Sequence, residues 1–355
     1  MAPTKALLVG AGHAHLHLIR HADELTAAGY EVRLLAPRYL DYSAVASATA
    51  VGDLPRGAGR VDVRALAVAG VDFHESTLAS LDPQRRVATG ADGARFDYDV
   101  LSLNIGSVVA PRGMRVHPSV VRVKPVAALL ELGARLAASP RSAATVTVVG
   151  GGATGIELAA HLAVRWGVGR VHLVEAGPVI GADLPSGARH RVLHLLERRG
   201  VALHTGSAVH EVGERGLVCG DGRELAHDVA VLATGLSAPP VLDAPGLADE
   251  RGVPLQHTHR DGIYAAGDCA RFLPHPLPRL GVHGVRQGPV LHHSLLARIH
   301  GRELPEYRPR RRPLSILDLG GGVGLAVRGR WWWYGAGALR LKRRIDDRWL
   351  TAHRR

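Results

Sequence analysis

The sequence is poor in cysteine, poor in lysine and free of long hydrophobic runs. Among 355 residues there are two cysteines, Cys219 and Cys269, which lie far apart and form no CxxC or CxxxxC spacing. This excludes a disulfide framework and a redox-active dithiol, and it favours a reduced cytoplasmic protein. No apolar run approaches the roughly 20 residues that span a bilayer. No charged segment followed by an apolar stretch opens the chain, so we expect no signal peptide.

The charge is strongly positive, with a formal net charge of +12. Only three basic residues are lysines, Lys5, Lys124 and Lys342, and the others are arginines. A nucleic-acid partner or an anionic membrane would explain such a surface. The excess of arginine over lysine is equally what a GC-rich genome produces. No helix-turn-helix pattern or aromatic nucleic-acid platform is visible, so we expect no nucleic-acid partner.

An internal repeat organises what is present. The stretch KALLVGAGHAHLHLI, from Lys5, has a counterpart in TVTVVGGGATGIELAAHL, from Thr145. Each is followed by a helix-length stretch and a second apolar strand. Segments beginning at Gly70 and Gly200 then each contain a strand, a hairpin with an Asp-Gly turn and a closing strand. The repeat predicts an α/β fold of two Rossmann-like dinucleotide-binding units, with parallel strands inside and helices outside.

The loop of the second unit carries the complete glycine fingerprint. Gly150, Gly152 and Gly155 follow an apolar strand and open a predicted helix. The first glycine makes the tight turn, the second admits the pyrophosphate, and the third lets the helix pack closely on the strand. The helix N-terminus favours the phosphates. Glu175, at the end of the next strand, can accept hydrogen bonds from the adenosine ribose and would repel a 2′-phosphate. The pattern therefore favours NADH over NADPH.

The loop of the first unit departs from the fingerprint. It contains Gly10 and Gly12, but His15 stands in place of the third glycine, so we expect the helix to start further from the strand. Ala36 stands where an acidic residue is expected at the end of the second strand. On these rules the loop is a weaker or differently shaped nucleotide site, or a βα turn without a ligand.

A later segment bears on this first loop. The stretch GIYAAGDCA, from Gly262, is a short apolar strand that ends in Gly267-Asp268. In flavoproteins with two nucleotide domains, such a strand returns to the first sheet, and its aspartate accepts a hydrogen bond from a ribityl hydroxyl of FAD. A generic strand and turn is the alternative, since Gly-Asp is a common dipeptide. The position after the second unit favours FAD.

Together these motifs resemble one family. Gly10-x-Gly12, Gly150-x-Gly152-x-x-Gly155, Ala233-Thr234-Gly235 and Gly267-Asp268 occur in the order seen in pyridine-nucleotide flavoproteins with two dinucleotide-binding domains. Within that superfamily the chain is most similar to type II NADH dehydrogenases. It is closer still to the NADH-dehydrogenase-like module found alone or fused ahead of selenide-water dikinase. The subgroup likeness is carried by VGAGHAHL, YDVLSLNIGS, VKP, GVHGVRQGPVL and RRIDDRWL, and the similarity covers almost the whole chain.

The resemblance implies the cofactors FAD and NAD(H) and assigns residues to them. It places FAD against Gly10, Gly12, His13, Ala14, His15, Ser43, Gly106, Gly267, Asp268, Val285 and Gln287. It places NAD(H) against Gly150, Gly152, Thr154, Gly155, Glu175 and Gly235. The helix predicted from Val282 to Ile299 would direct its N-terminus, around Val285 to Gln287, at the flavin, with Pro289 early in the helix.

Two residues are catalytic candidates on the same resemblance. Glu157 matches an acid that lies close to the nicotinamide, although an ordinary first-turn acid that stabilises the helix dipole is an equal alternative. Lys124 matches a position beside the isoalloxazine ring. His13, His17 and His21 recur at helical spacing, but no acidic or cysteine partner is near, so we expect no metal site.

The predicted domains are an FAD-binding domain, residues 1–118 and 255–305, an NAD(H)-binding domain, residues 119–254, and a C-terminal segment, residues 306–355. The last part of this segment predicts a hairpin and a helix. Its apolar residues recur at steps of three and four and predict one stripe, Ala338, Leu341, Ile345 and Trp349. A basic amphipathic helix with aromatics at its edge is typical of a monotopic anchor on an anionic membrane. Aromatics that close the core of the FAD-binding domain are the alternative.

These patterns leave three hypotheses open. The first is an FAD enzyme that oxidises NADH and reduces a quinone-like acceptor, cytoplasmic or peripheral on the cytoplasmic face of a membrane. The second keeps the flavin chemistry but passes electrons to a soluble carrier or a selenium-pathway partner. The third is a nucleotide-sensing or DNA-binding protein without enzyme activity. The oligomeric state stays open.

Overall fold

The helices lie outside two parallel sheets. The computed structural model describes residues 2–67, 70–138, 143–165, 168–243, 247–249, 251–255, 259–260, 262–274, 276–310 and 312–354. Within these ranges the α-helices are α1 (His13–Arg20), α2 (Ala22–Ala27), α3 (Ala46–Val51), α4 (Val63–Leu66), α5 (Val126–Leu129), α6 (Leu132–Ala137), α7 (Ala153–Leu162), α8 (Ser186–Arg198), α9 (Gly281–Ile299) and α10 (Ala336–His353). Single turns of 3₁₀-helix occur at Ser43–Val45, Pro240–Leu242 and Gly267–Cys269.

The first sheet is built from both ends of the chain. Its strands follow one another across the sheet in the order His259–Arg260, Ile263–Ala265, Val100–Leu103, Thr4–Val9, Tyr30–Ala36 and Val71–Glu75. All neighbours are parallel except the first pair. The strand before Gly267-Asp268 therefore returns to the first sheet, as predicted. A parallel sheet covered on both faces explains why its central strands are almost continuously apolar.

The second sheet is continuous in sequence and entirely parallel. Its strands are ordered Val121–Arg122, Val229–Leu232, Ala144–Val149, Val168–Val174 and Val201–His204. Each sheet places a glycine loop and a helix after one of its central strands, Thr4–Val9 in the first and Ala144–Val149 in the second. The prediction of two Rossmann-like units is confirmed.

Each unit carries an antiparallel meander. The strands of the first are Leu78–Asp82, Val87–Gly90 and Arg95–Asp97; those of the second are Val209–Val212, Gly216–Cys219 and Glu224–Ala226. The predicted Asp-Gly turns are present, and Gly93 and Gly222 have φ angles of +84° and +82°. The strand Arg115–Val116 pairs with the second meander. The predicted first-domain end at residue 118 thus falls inside the second unit's sheets.

Short strand pairs connect these parts. Val108–Val109 pairs with Leu236–Ser237 where the chain passes between the two units. The other pairs are Tyr39–Asp41 with Arg60–Asp62, and Val253–Leu255 with Ala270–Phe272.

The C-terminal segment forms a three-stranded sheet followed by α10. The strands are Ser315–Asp318, Gly324–Arg328 and Trp331–Gly335, so the predicted hairpin and helix are confirmed. Leu317 and Leu325 join the hydrophobic core of the second unit, whereas Leu350 of α10 joins that of the first. The segment therefore packs against both units.

The apolar stripe predicted for α10 is wrong in register. The residues that α10 buries are Ala338, Leu339, Lys342, Asp346 and Leu350. Ile345, predicted inside, is 44% exposed. The helix turns this way because Lys342 and Asp346 neutralise each other inside the protein. The opposite face, with Arg340, Arg343, Arg344, Asp347 and Arg348, is exposed as predicted.

Helix α9 packs tightly against α1. A Cβ atom built on Gly288 would lie 2.8 Å from the Cβ of His17, and one on Gly284 would lie 3.4 Å from the Cβ of His13. Two glycines on one face thus let the backbones approach. Pro289 is the ninth residue of α9, not an early one as predicted. The helix continues through it, with one backbone hydrogen bond fewer.

Candidate functional site

The glycine loop of the second unit is shaped by close backbone contacts. A Cβ on Gly150 would lie 2.4 Å from the carbonyl oxygen of Ala233, and one on Gly155 would lie 1.8 Å from that of Gly150. A Cβ on Gly152 would meet nothing within 4 Å. The loop is therefore closed on the protein side and open at Gly152, where α7 begins, with Thr154 in its first turn. This geometry fits a pyrophosphate.

Glu175 is attached to this loop through both carboxylate oxygens. Its Oε2 accepts a hydrogen bond from Gly151 N over 2.7 Å, and its Oε1 accepts one from Gly177 N over 2.7 Å. The carboxylate lies directly after the strand Val168–Val174, as predicted, and is oriented by the backbone of the two loops that would enclose an adenosine ribose.

Gly235 ends the second unit beside a guanidinium. A Cβ at this position would lie 2.1 Å from Nη2 of Arg112. Ala110 N donates to the carbonyl of Gly235 over 2.8 Å, and Thr234 Oγ1 donates to the carbonyl of Ala110 over 2.8 Å. Gly235 therefore lies at the crossing between the two units, and its lack of a side chain lets Arg112 pass.

His15 completes the glycine loop of the first unit. Its side chain is fully buried, with Nδ1 2.5 Å from the carbonyl oxygen of Gly10 and Nε2 2.8 Å from Ser102 Oγ. Burial lowers the pKa of His15 to about 4, so the ring is neutral at physiological pH. Helix α1 begins directly after Gly12, just as α7 begins directly after Gly152.

Asn104 anchors the first loop and was missed from the sequence. Its Oδ1 accepts hydrogen bonds from Ala14 N over 3.0 Å and His15 N over 3.2 Å. Its Nδ2 donates to the carbonyl of Ala266 over 2.7 Å. The side chain thus joins the start of α1 to the strand that precedes Gly267. The available signal was an asparagine directly after the apolar strand Val100–Leu103.

The Gly267-Asp268 turn lies beside this anchor. Ser107 Oγ donates to Asp268 Oδ2 over 2.8 Å, and Gly267 N donates to Gln287 Oε1 over 2.7 Å. Gln287 is buried, whereas Val285 is 37% exposed, and both lie in the second turn of α9. The first turn begins at Gly281, so the predicted placement of Val285 to Gln287 at the helix N-terminus is wrong by one turn.

Lys124 and His13 face Asp268 from two other segments. Burial lowers the pKa of Lys124, and the charge of Asp268 acts in the opposite direction. Burial and then the charge of Lys124 lower the pKa of His13 to about 4. Ser43 joins them, since a Cβ on Gly281 would lie 3.6 Å from His13 Cε1 and 3.8 Å from Ser43 Oγ.

The predicted FAD residues are thus brought together from distant parts of the chain, and they fit the cofactor. Among the described residues, none accepts a hydrogen bond from Lys124 Nζ, so this amine is available to a polar ligand. Gly106 has a φ of +75° and open space where a Cβ would be. Lys124 and Asp268 would hold the flavin and ribityl parts, and the loop at Gly10 and Gly12 would hold the pyrophosphate.

Glu157 lies where the second unit meets the C-terminal segment. Its Oε1 accepts a hydrogen bond from Asp318 N over 2.8 Å, and Ser47 Oγ donates to its Oε2 over 3.4 Å. Burial raises the pKa of Glu157 to about 6, while the charge of Lys342 acts in the opposite direction. The residue is the fifth of α7, so the alternative role of a first-turn dipole acid is wrong.

An aromatic cluster on α10 covers the other side of the first loop. Trp349 stacks on Tyr42 with ring centroids 4.2 Å apart, and it lies 5.1 Å from the ring of His13. His353 stacks on the opposite face of Trp349 at 4.2 Å. Part of the C-terminal aromatic content therefore closes the first unit, which was the alternative to a membrane role. Trp331, Trp332 and Trp333 stay 55%, 37% and 42% exposed.

The histidines at helical spacing on α1 separate into two groups. His17 and His21 contact each other and His292 of α9, whereas His13 turns toward Tyr42. Across the described parts of the chain, no group of three or more His, Cys, Asp or Glu side chains is arranged to hold a metal ion. None of the helices described is long and apolar enough to cross a bilayer.

Both thiols are inside the protein. Cys219 and Cys269 are free and buried. Burial raises the pKa of Cys269 to about 11, so its thiolate is scarce at neutral pH. Neither cysteine has the exposure of a redox-active thiol.

Comparison with known proteins identifies the family. A family model described as pyridine nucleotide-disulphide oxidoreductase matches residues 4–288. An NADH dehydrogenase-like protein of Mycobacterium tuberculosis is 31% identical over 300 residues, which cover 75% of this chain and 73% of that protein. A type II NADH:quinone oxidoreductase of Haemophilus influenzae is 32% identical over 148 residues, covering 36% and 33%. A rubredoxin-NAD(+) reductase of Alcanivorax borkumensis is 33% identical over 229 residues, covering 61% and 56%.

Solved structures share the fold. The sulfide:quinone oxidoreductase of Aquifex aeolicus superposes with a TM-score of 0.79 at 16% identity, covering 99% of this chain and 91% of that one. NDH2 of Plasmodium falciparum, solved with NADH, has a TM-score of 0.78 at 12% identity, covering 95% and 93%. With two nucleotide loops of the expected geometry, this chain belongs to the pyridine nucleotide-disulphide oxidoreductase family, as a type II NADH dehydrogenase-like flavoprotein enzyme that uses FAD and NAD(H).

Proposed function

We propose that the protein oxidises NADH through FAD and passes the electrons to a quinone-like acceptor. The observation that carries this proposal is the pair of glycine loops in one chain without a reactive thiol, since both cysteines are buried. A dithiol-dependent acceptor reaction has no residues to perform it. The Haemophilus influenzae relative, whose name gives quinone as its acceptor, supports the choice of acceptor.

Bound FAD would supply the redox chemistry, taking a hydride from NADH and giving up two electrons. The residues of the protein would bind the FAD and orient it. Gly10, Gly12 and Ala14 hold the diphosphate of FAD at the start of α1, with His15 fixing the loop through the Gly10 carbonyl. Asp268 holds the ribityl chain. Lys124 supplies a positive charge beside the ring.

The second unit would position the nicotinamide. Gly150, Gly152 and Thr154 hold the diphosphate at the start of α7, and Glu175 accepts hydrogen bonds from the adenosine ribose. Glu157, two residues after Gly155, lies beside the nicotinamide. With a pKa of about 6, its carboxyl group holds or releases a proton at Oε2 near physiological pH.

The exposed strand Trp331–Gly335 and the arginine face of α10 would attach the enzyme to an anionic membrane. Three exposed tryptophans lie on one edge strand, and Arg340, Arg343 and Arg344 lie on the following helix. Tryptophan is favoured at the headgroup level, and each basic residue near an anionic surface adds about 1 kcal/mol. The membrane contact would thus be made by the hairpin and the polar face, not by the apolar stripe predicted from the sequence.

The test is steady-state NADH oxidation by the purified, FAD-loaded protein with short-chain quinones, ferricyanide and oxygen as acceptors. We expect quinone to give the highest kcat/KM. Protein that binds no FAD, or whose flavin NADH does not bleach, would refute the proposal.

The membrane part is tested separately by flotation with vesicles of anionic or neutral lipid. Replacing Trp331 and Trp333 with serine should abolish flotation with anionic vesicles and leave oxidation of NADH by ferricyanide intact. Deleting residues 331–355 is unsuitable because α10 contributes Lys342, Asp346 and Leu350 to the interior. Equal flotation of the variant and the parent protein would refute the membrane contact.

A soluble electron carrier is the second candidate acceptor. The Alcanivorax borkumensis relative is named for rubredoxin, and it spans a longer part of this chain than the quinone-reducing relative does. The net charge of +12 would favour an acidic carrier. This candidate predicts faster turnover with an acidic redox protein than with any quinone, and a rate that falls with added salt.

A further inference from the structure

A buried histidine lies between two carboxylates, close to Glu157. The Nδ1 of His161 lies 2.5 Å from Asp53 Oδ2, and its Nε2 lies 3.4 Å from Asp318 Oδ1. The proposed binding of FAD and NADH uses none of these three side chains. An imidazole with a carboxylate at each ring nitrogen can take a proton at one nitrogen and release a proton at the other.

Three separate segments assemble this cluster. Asp53 follows α3, His161 lies in the last turn of α7, and Asp318 ends the strand Ser315–Asp318. Gly320 N donates to Asp318 Oδ1 over 3.0 Å. A Cβ on Gly320 would lie 3.1 Å from His161 Nδ1, so the loop after the strand closes directly over the ring. The imidazole and its partners are thereby held in one arrangement.

Asp318 connects this histidine to Glu157. The backbone N–H of Asp318 donates to Glu157 Oε1 over 2.8 Å, while the carboxylate of Asp318 faces His161. Glu157 and His161 are also four residues apart on α7, so their side chains lie on the same face of the helix. The carboxyl group of Glu157 and the imidazole therefore belong to one continuous polar cluster.

The cluster extends from the surface to the proposed nicotinamide site. The side chain of Asp53 is 37% exposed, that of Asp318 is 16% exposed, and that of His161 is 2% exposed. Glu157 is half-buried, and in the proposed complex the nicotinamide would cover its open side. Asp53 is then the end of the cluster that stays in contact with solvent.

Glu157 and His161 both change charge near neutral pH. Burial opposes the charge of His161, but the hydrogen bonds and charges of Asp318 and Asp53 raise its pKa above the usual value. Burial raises the pKa of Glu157 to about 6. The other charged groups that face the cluster are Arg165 beside Gly52, Arg199 against the carbonyls of Ala160 and Gly320, and Lys342 of α10. Two groups with neighbouring pKa values exchange a proton at little cost in free energy.

We propose that His161 supplies protons to Glu157 during turnover and takes them from solvent on the side of Asp53. The proposal rests on the proposed function. Reduction of a quinone by NADH takes up one proton from water, because the hydride brings two electrons and one proton and the hydroquinone carries two. Glu157 releases this second proton beside the nicotinamide. His161 then returns one proton to Glu157 from the side of Nε2 and Asp318, and it regains one from the side of Nδ1 and Asp53. His161 is a positioning residue, since it acts through Glu157.

The test compares three variants of the full-length, FAD-loaded protein in the absence of oxygen. His161→Gln keeps a polar side chain of similar volume that cannot carry the proton, and Asp53→Asn removes the charge at the exposed end. His190→Gln, on the exposed surface of α8, is the matched control. The first measurement is the rate at which NADH bleaches the flavin, which needs the hydride alone. The second is the rate at which menadione restores the flavin colour after one equivalent of NADH, which needs the proton.

We expect His161→Gln to slow the return of the flavin colour about tenfold, less than the loss of a general acid itself because Glu157 stays in place. The slowdown should be greater in D₂O, and bleaching by NADH should be unchanged. Asp53→Asn should change the same rate in the same direction, and His190→Gln should behave as the parent protein.

Two outcomes would overturn this proposal alone. One is an unchanged return of colour in His161→Gln and Asp53→Asn, and the other is an equal slowing of both rates, which would indicate a purely structural role. Failure of NADH to bleach the flavin of the parent protein would instead overturn the proposed function.

A measurement without turnover keeps the test decisive if His161→Gln folds poorly. Histidine-selective nitrogen NMR of the parent protein should show one ring whose pKa lies above the usual value, and this pKa should fall in Asp53→Asn. Asp53 is partly exposed, so its substitution by asparagine is tolerated more readily than a change at His161. If no ring of the parent protein has a raised pKa that falls in Asp53→Asn, His161 is not the proton carrier.

Discussion

Lys342 and Asp346 form an ion pair inside the protein, with Nζ 2.7 Å from Oδ2 and both side chains less than a tenth exposed. Lys342 also donates to the carbonyl of Ala44 over 2.5 Å, and the hydroxyl of Tyr42 donates to Asp346 Oδ1 over 3.1 Å. One turn of α10 is thereby fixed to the segment that precedes α3. The C-terminal helix is therefore held by buried polar contacts as well as by apolar packing.

Breaking this pair on one side should destabilise the protein strongly. Lys342→Met leaves the Asp346 carboxylate buried without its cation, which costs about 3–5 kcal/mol. The double variant Lys342→Met with Asp346→Leu should be markedly more stable than Lys342→Met alone. Urea unfolding measures both. Arg343→Met, at an exposed neighbouring position, is the control and should change stability by less than about 0.5 kcal/mol. Equal losses in Lys342→Met and Arg343→Met would contradict the burial of the pair.

His161 should make the docking of the C-terminal segment depend on pH. Its Nδ1 lies 2.5 Å from Asp53 Oδ2, and its Nε2 lies 3.4 Å from Asp318 Oδ1. Burial opposes the charge, but the hydrogen bond and charge of Asp318, followed by those of Asp53, raise the pKa of His161 above its usual value. A raised pKa stabilises the folded state fully below the unfolded value, and this contribution is lost as pH rises through the folded value.

The measurement is the thermal midpoint of the parent protein and of His161→Gln as a function of pH. We expect the difference between them to be largest in mildly acidic solution and to shrink as pH rises above neutrality. His190→Gln, on the exposed surface of α8, is the control. A difference that grows with rising pH would contradict the assignment.

His15→Gly should weaken the first loop although it restores the glycine fingerprint. The substitution leaves the Gly10 carbonyl and the Ser102 hydroxyl without their buried partner, and each unsatisfied group costs about 1–3 kcal/mol. We therefore expect less FAD per protein and a lower thermal midpoint. The ratio of flavin to protein absorbance measures the first. His17→Gly on the same helix separates the loss of the contact from the low helix propensity of glycine. Tighter FAD binding in His15→Gly would contradict a stabilising role of the imidazole in the first loop.

Glu157→Gln should remove one ionisation from the pH profile of turnover. The parent protein's kcat should show an inflection near pH 6, where the raised pKa of this carboxyl group lies. The amide cannot ionise, so the variant's profile should be flat there. FAD content should be unchanged, and Ser47→Ala should move the inflection without removing it. An inflection near pH 6 that survives in Glu157→Gln would assign the ionisation to another group.

Glu175→Gln should lower the preference for NADH. The carboxylate is held by the amides of Gly151 and Gly177, and in the proposed ribose site it would repel a 2′-phosphate. Its loss should reduce the ratio of kcat/KM for NADH to that for NADPH about tenfold, the effect of one lost charge-assisted contact. Glu197→Gln, exposed on α8, is the control. An unchanged ratio would remove Glu175 from the ribose site.

The fold was predictable because its signals are local. Continuous apolar strands, glycines at the tight turns after Val9 and Val149, and Asp-Gly dipeptides at the hairpins each specify their own backbone. The prediction of the apolar stripe of α10 was wrong because a hydropathy pattern places Lys342 and Asp346 in solvent. Their ion pair instead allows both side chains to be buried. The position of Pro289 was predicted wrongly because α9 packs against α1 on both sides of it, at Gly284, Gly288 and His292, and this packing offsets one missing hydrogen bond.

The candidate site was predictable only where it follows a backbone motif. Gly150, Glu175 and Asp268 stand at the ends of strands, where the positions follow from the chain trace. Asn104 depends on which segments fold against it, and its partner Ala14 is 90 residues away in the sequence. Nothing in a linear pattern distinguishes such an amide from one on the surface.

The split of the first sheet also has a consequence for biosynthesis. The strand Ile263–Ala265 and helix α9 complete the first unit, whereas the second unit is contiguous from Arg115 to Leu232. During synthesis the second unit can therefore close while the N-terminal βαβ segment still lacks its last strand. Until the strand before Gly267 has left the ribosome, the flavin site lacks the segment that carries Asp268. We therefore expect FAD to be incorporated only after this strand and α9 have been synthesised.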